Sequence, residues 1–252
     1  MSSIRWKVTF IITRQRSKSK CYQQPFLLEV DPDEYILDCI ERIWAFHDRS
    51  LTFRHACHHS TCGACGMRVN GVEKLTCITA IRSVTQDGGT VHIEPLRNFP
   101  VLSDLVVDMS TFFLRLEQVN AATVLPLQEA CLPGEIKDQP VIESGQYERL
   151  VDCIECGLCI SACPTALTSS SYQGPATLAA IQQGCQPGNQ PFQILLADHE
   201  DGVWRCHSAY ECSAVCPSNV DPAARIMNLR RRILTQHIRS LFSRQPEEAK
   251  NE

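Results

Sequence analysis

No stretch of this 252-residue chain approaches the ~18 consecutive apolar residues needed to cross a bilayer. The N-terminal "MSSIRWKVTF" meets charge at once and lacks the apolar centre of a signal peptide, so nothing in it directs export. Excess positive charge is absent as well. Lys and Arg number 24 against 28 Asp and Glu, a net charge of -4, which leaves no basic field for nucleic acid. GxGxxG, P-loop and HExxH patterns are missing too, which removes the usual sequence signs of a dinucleotide, nucleotide or zinc-protease site.

Cysteine, by contrast, is abundant: there are 15. Without export, disulfides have no oxidising compartment, and clustered thiols point to metal. With 44% hydrophobic residues the chain can bury a real core, and its length suits two domains.

The first group lies in "CHHSTCGACGMRVNGVEKLTC". Cys57, Cys62 and Cys65 have Cx4Cx2C spacing and Cys77 follows at a distance, the plant-type [2Fe-2S] pattern. Zinc knuckles more often come as two CxxC pairs. Gly63 and Gly66 are expected to let backbone N–H groups approach the sulfurs. His58 and His59 suggest a Rieske site, but four cysteines already complete the set, so both are read as solvent-facing loop residues.

Around this loop, "RWKVTFII" and "QPFLLEVD" read as a strand hairpin, "MRVNGVEKL" as a second hairpin turning at Asn70-Gly71, and "TVHIEPL" as a further strand. "DEYILDCIERIWAFHD" places Leu37, Ile40, Ile43, Trp44 and His47 on one side at helical spacing. The expected fold class is α+β: a β-grasp, plant-type ferredoxin-like domain over 1–100, then an all-helical, bacterial-ferredoxin-like di-cluster domain over 141–244. A connector spans 101–140, beginning with the helical-looking "LSDLVVDMSTFFLRLEQV", and 245–252 form a polar tail.

The second group, "CIECGLCISACP", is an unbroken CxxCxxCxxxCP: Cys153, Cys156, Cys159 and Cys163 with Pro164. The third, "WRCHSAYECSAVCP", has Cys206, Cys212, Cys216 and Pro217, with Ala209 where the second cysteine belongs. In such pairs the last cysteine of each run serves the other cluster. Cys153, Cys156, Cys159 and Cys216 then hold [4Fe-4S], while Cys163, Cys206 and Cys212 hold a site short of one thiolate, which suits [3Fe-4S]. A fully ferric three-iron core should accept an electron at higher potential than a partly reduced four-iron core. The alternative is a water-capped [4Fe-4S] of the dehydratase kind, for which two further clusters would be superfluous. Fifteen cysteines less eleven leave Cys21, Cys39, Cys131 and Cys185, none read as a ligand; Cys39 is expected to be a small buried hydrophobe.

In its motif order, in "RNFPVLSDLVVDM" between the domains and in "VDPAARI" after the last cysteine, the chain resembles the iron–sulfur subunit of succinate dehydrogenase and fumarate reductase, the respiratory complex II type. The resemblance runs from the first strand to about Arg232 and implies relay of electrons from a flavoprotein partner carrying FAD, through the three clusters, to quinone. It also implies a membrane anchor, with or without haem b, a peripheral place on the cytoplasmic face of a prokaryotic membrane, and no nucleic-acid partner. Pro164, Thr165, His207 and Arg230 match family positions near quinone, whereas the tryptophans several members carry after the CP are absent from "TALTSSSYQGPA". Succinate oxidation is the favoured direction, fumarate reduction the near alternative and a free ferredoxin-like carrier the remote one. The long helix expected from Asp221 to Arg244 should turn Ile226, Leu229 and Ile233 to the core and its arginines to the membrane side.

Overall fold

The computed structural model describes residues 5–16, 20–119, 153–184 and 191–243. Cys131 and Cys185 lie outside them, as does most of the expected connector.

Strands β1 (Trp6–Arg14) and β2 (Tyr22–Val30) pair antiparallel, from Trp6 opposite Val30 to Arg14 opposite Tyr22. β3 (Gly66–Val69) and β4 (Val72–Leu75) form the second hairpin, and β5 (Thr90–Glu94) runs parallel to β1. The sheet order is β2-β1-β5-β3-β4. Asn70 and Gly71 both have positive φ (50° and 82°), the backbone that a tight two-residue hairpin demands.

Period-two burial puts Val8, Phe10, Ile12, Phe26, Leu28, Val91 and Ile93 on one face of this sheet. Helix α1 (Ile36–Phe46) packs there through Ile36, Cys39, Ile40 and Ile43. Cys39 is a buried hydrophobe, as its place on the helix suggests, but Trp44 and His47 are exposed. The Trp44 ring lies under the Arg49 guanidinium at 4.3 Å. The buried stripe therefore runs through 36, 37, 39, 40 and 43, with Leu37 in a second cluster beside Cys65 and Cys77, and stops short of Trp44 and His47.

Arg14 continues the inward alternation at the end of β1 and is only 1% exposed. Its guanidinium meets Asp104 at 3.0 Å and Asp48 at 2.8 Å, and also donates to Gln24 and Ser50. Asp104 sits in the turn of a small hairpin, β6 (Val101–Ser103) and β7 (Val106–Val107). That hairpin replaces the start of the helix expected from Leu102; helix α2 begins only at Ser110 and ends at Gln118. The difference follows from Asp104, whose carboxylate accepts from Gln15 N and Thr52 N, fixing this stretch against the sheet.

Beyond the undescribed stretch the described structure is helical, as expected: α3 (Leu158–Ala162), α4 (Pro164–Thr168), α5 (Pro175–Gly184), α6 (Pro191–Asp198), α7 (Glu211–Ala214) and α8 (Pro222–Ser243). Asp221 and Ser213 accept the first free N–H groups of α8, from Ala224 and Ala223. Ile226, Leu229 and Ile233 of α8 pack with Tyr172, Leu178, Ile181 and Val203 in one core.

Candidate functional site

The loops carrying the cysteines are built so that backbone N–H groups face sulfur. Ser60 N donates to Cys77 Sγ at 3.3 Å, while Thr61 N and Cys62 N donate to Cys57 Sγ at 3.3 and 3.4 Å. N–H groups, those of His59 and Cys62 foremost, lower the Cys57 thiol to about 6. Cys77 is pushed the other way, to about 11, first by burial and then by its neighbour Cys65. Cys57, Cys62, Cys65 and Cys77 thus converge on one spot.

Cys153, Cys156, Cys159 and Cys216 line a single apolar cradle between Ile154, Phe112, Ala176 and Val220. Burial raises all of the first three thiols, Cys156 to about 12, and the crowding of neighbouring thiolates adds to it. Cys163, Cys206 and Cys212 line a second cradle, with Ala209 in its wall beside Thr165, Tyr172 and Ile226. The fold brings Cys216 beside Cys153, Cys156 and Cys159, and Cys163 beside Cys206 and Cys212. The donor sets fit iron–sulfur chemistry, because several buried thiolates on one spot repel one another unless a cationic core lies among them.

Two polar contacts hold these loops and a buried tyrosine lines one of them, none of the three visible as function in the sequence. Asn98 Nδ2 donates to the carbonyls of Ile160, Ser161 and Cys163, fastening the turn that carries Cys163 to the N-terminal domain. The Ser161 hydroxyl donates to buried Glu73 on β4 and accepts from Arg97 N, a polar link across the two domains. Tyr172, 1% exposed, turns a hydroxyl with no geometrically sound partner among the described residues towards the three-cysteine cradle. Tyr172 gave no sequence signal beyond an aromatic in a polar turn.

Gly63 has a different purpose from the one its motif suggests. Its φ is +70°, and a Cβ there would lie 2.7 Å from the Ile154 carbonyl oxygen and 2.8 Å from Cys156 Cβ. A Cβ on Gly66 would come 3.1 Å from Leu158 Cδ2. Both glycines permit the first cysteine loop to touch the second, rather than only letting N–H groups reach sulfur. Gly63→Val should therefore part these loops. The expected result is at least a tenfold slower re-oxidation of the first cluster in freeze-quench EPR, with iron content retained; an unchanged rate would show that the contact does not set the electron path.

Of the residues singled out near quinone, Thr165 is buried in the three-cysteine cradle, while Pro164 and His207 are exposed at its edge. Arg230 is differently engaged. Its Nη2 donates to the carbonyls of Val203 and Cys206, the latter at 2.7 Å, so its charge braces the loop that bears Cys206. Further along α8, Leu234, Ile238, Leu241 and Phe242 are exposed. His58 and His59 are exposed, as expected of loop residues. No described helix is long and apolar enough to cross a membrane.

Residues 9–114 match the family described as a 2Fe-2S iron-sulfur cluster binding domain, and residues 149–220 match a 4Fe-4S dicluster domain. The fumarate reductase iron-sulfur subunit of Mycobacterium tuberculosis is 35% identical over 211 residues, 82% of this chain and 84% of that protein. The succinate dehydrogenase iron-sulfur subunit of Coxiella burnetii is 29% identical over 91% of this chain and 98% of its own length. In fold, the chain is similar to one from the Mycobacterium smegmatis Sdh1 complex, with a TM-score of 0.77 at 24% identity, covering 93% of this chain and 98% of that one. With two cysteine-lined cradles behind a β-grasp cysteine loop, and with relatives of this kind along most of its length, the chain belongs to the family of succinate dehydrogenase and fumarate reductase iron–sulfur subunits, the electron-transferring component of an oxidoreductase.

Proposed function

We propose that the chain relays electrons in a succinate:quinone oxidoreductase, with [2Fe-2S] on Cys57, Cys62, Cys65 and Cys77, [4Fe-4S] on Cys153, Cys156, Cys159 and Cys216, and [3Fe-4S] on Cys163, Cys206 and Cys212. The observation that carries this reading is the succession of three cysteine sets, the first touching the second at Gly63 and the second sharing its two motifs with the third. When bound, the clusters supply one-electron carriers of different potential. The chain's own residues hold them, keep water out with Phe112, Ile154, Ala176 and Ile226, and fix their spacing through Asn98 and Ser161.

The partners in this reading are a flavoprotein with FAD and a membrane anchor that offers quinone. Pro164 and His207 lie at the exposed edge of the three-cysteine cradle, with Thr165 buried behind them, which suits a quinone brought up by that anchor. Arg230 serves that edge by bracing the Cys206 loop. The exposed apolar residues of α8 after Ile233, preceded by Arg231 and Arg232 and interrupted by Arg239, suit an anchor at a cytoplasmic membrane face. We propose the division into 1–100, 101–140, 141–244 and 245–252, with the hairpin of the second segment packed back on the first and Phe112 of α2 lining the cradle of the third. Fumarate reduction by the same subunit is favoured by the name of the 35%-identical relative.

Purification of the tagged chain from native membranes tests the division of labour. A flavoprotein and hydrophobic anchors should come with it, and Cys65→Ala should abolish quinone reduction by succinate while dye reduction at the flavin persists. A chain that elutes alone from gently solubilised membranes, or that oxidises succinate when demonstrably pure, would overturn the proposal.

A further inference from the structure

Beside the first cysteine loop, and using none of its thiols, three side chains of metal-binding type meet at one point. His55 Nδ1 lies 2.9 Å from Glu41 Oε1, His58 Nε2 lies 3.1 Å from the same oxygen, and the two ring nitrogens are 3.4 Å apart. Bonds of ~2.1 Å to a four- to six-coordinate zinc ion place neighbouring ligand atoms roughly 3.0–3.4 Å apart. The three separations therefore outline one face of such a coordination shell.

The surroundings match. Glu41 Oε1 is sealed from solvent and has no hydrogen bond among the described residues, although two imidazole nitrogens lie within 3.1 Å of it. The rings are themselves oriented. Phe53 stacks on His55 at 5.1 Å with an interplanar angle of 23°, and the other nitrogen of His58 is 4.0 Å from Asp38, one helical turn before Glu41 on α1. At that distance Asp38 places negative charge behind the ring without a hydrogen bond. The outer sides of both histidines are open, at 43% and 40% exposure, leaving room for water or a further ligand.

We propose that Glu41, His55 and His58 form a mononuclear site for a borderline divalent cation, Zn2+ in the first instance. Two imidazoles and one carboxylate are a recurrent zinc set, whereas magnesium and calcium prefer oxygen alone. The ion would tie α1 to the residues flanking Cys57 and put positive charge next to that cysteine loop. This inference does not depend on the function proposed above, because zinc and iron are counted separately.

The test is equilibrium dialysis of the cluster-loaded chain, in a Cys21→Ser background that removes the exposed spare thiol, against micromolar Zn2+, with zinc and iron measured on each sample. The expected result is one zinc per chain beyond the iron, with affinity reduced at least tenfold in His55→Ala, His58→Ala and Glu41→Gln while iron content holds. Should a histidine variant fail to load iron, Glu41→Gln decides, since it lies on α1 outside the cysteine loop. Zinc binding unchanged in Glu41→Gln, or no zinc retained by the parent chain, would overturn the site.

Discussion

Ala209→Cys should add one iron per chain and abolish the oxidised-state EPR signal of a three-iron cluster. Ala209 stands in the wall of the cradle formed by Cys163, Cys206 and Cys212, where no fourth sulfur is present. A thiolate offered there should retain the corner iron and convert the site to [4Fe-4S]. Cluster type is a principal lever on potential, across a span from about −700 to +450 mV. The converted site should be harder to reduce, and every ~59 mV of lost potential makes a one-electron transfer tenfold less favourable. Quinone reduction should fall at least tenfold, with dye reduction at the flavin preserved. An unchanged three-iron signal in the variant would mean that position 209 does not face the cluster.

The largest expected loss of stability is at Arg14, at the end of β1 and outside the three cysteine sets. Arg14→Met keeps much of the side-chain volume but strands Asp104, itself 1% exposed, without its counter-charge. Breaking a buried pair from one side costs about 3–5 kcal/mol. Urea unfolding followed by cluster absorbance should register that loss, and a change under about 1 kcal/mol would show the pair to be worth little more than an exposed one. The acid side should change too. Hydrogen bonds from Ser50 and then from Arg14 hold the Asp48 carboxyl well below the usual carboxylate range. A carboxylate with a depressed folded-state pKa contributes stability above its ordinary value near ~3.9 and loses it as the pH falls towards the folded one. Without Arg14 that contribution shrinks, so the variant should unfold at higher pH on acid titration.

The cysteine chemistry was legible because metal ligation fixes residue type and spacing together: Cx4Cx2C and CxxCxxCxxxCP leave little freedom in what they hold. The crossed grouping of Cys216 with Cys153, and of Cys163 with Cys206, is likewise what the two motifs imply. Strand alternation through Val8, Phe10 and Ile12 was equally plain, since each side of a sheet repeats every second residue. Long-range polar contacts left no such trace. Nothing local in "RNFPVLSD" shows that Asn98 will hold three carbonyls sixty residues on, or that Asp104 will be drawn to Arg14 and so replace a helical turn with a hairpin. His55, His58 and Glu41 are separated by a turn and a loop, and they become a set only when α1 packs beside the cysteine loop. Trp44 and His47 were misplaced for a related reason. Helical spacing gives the width of a stripe only roughly, and the sheet it packs on decides where the stripe ends.

Iron content and EPR of the complex purified anaerobically decide whether the chain carries three unlike clusters. About nine irons per chain are expected, from ligand sets for two, four and three, with a three-iron signal on oxidation and two further signals that appear on stepwise reduction. Stoichiometric zinc in the cysteine sites without iron–sulfur absorbance, or no three-iron signal under any oxidising condition, would contradict it.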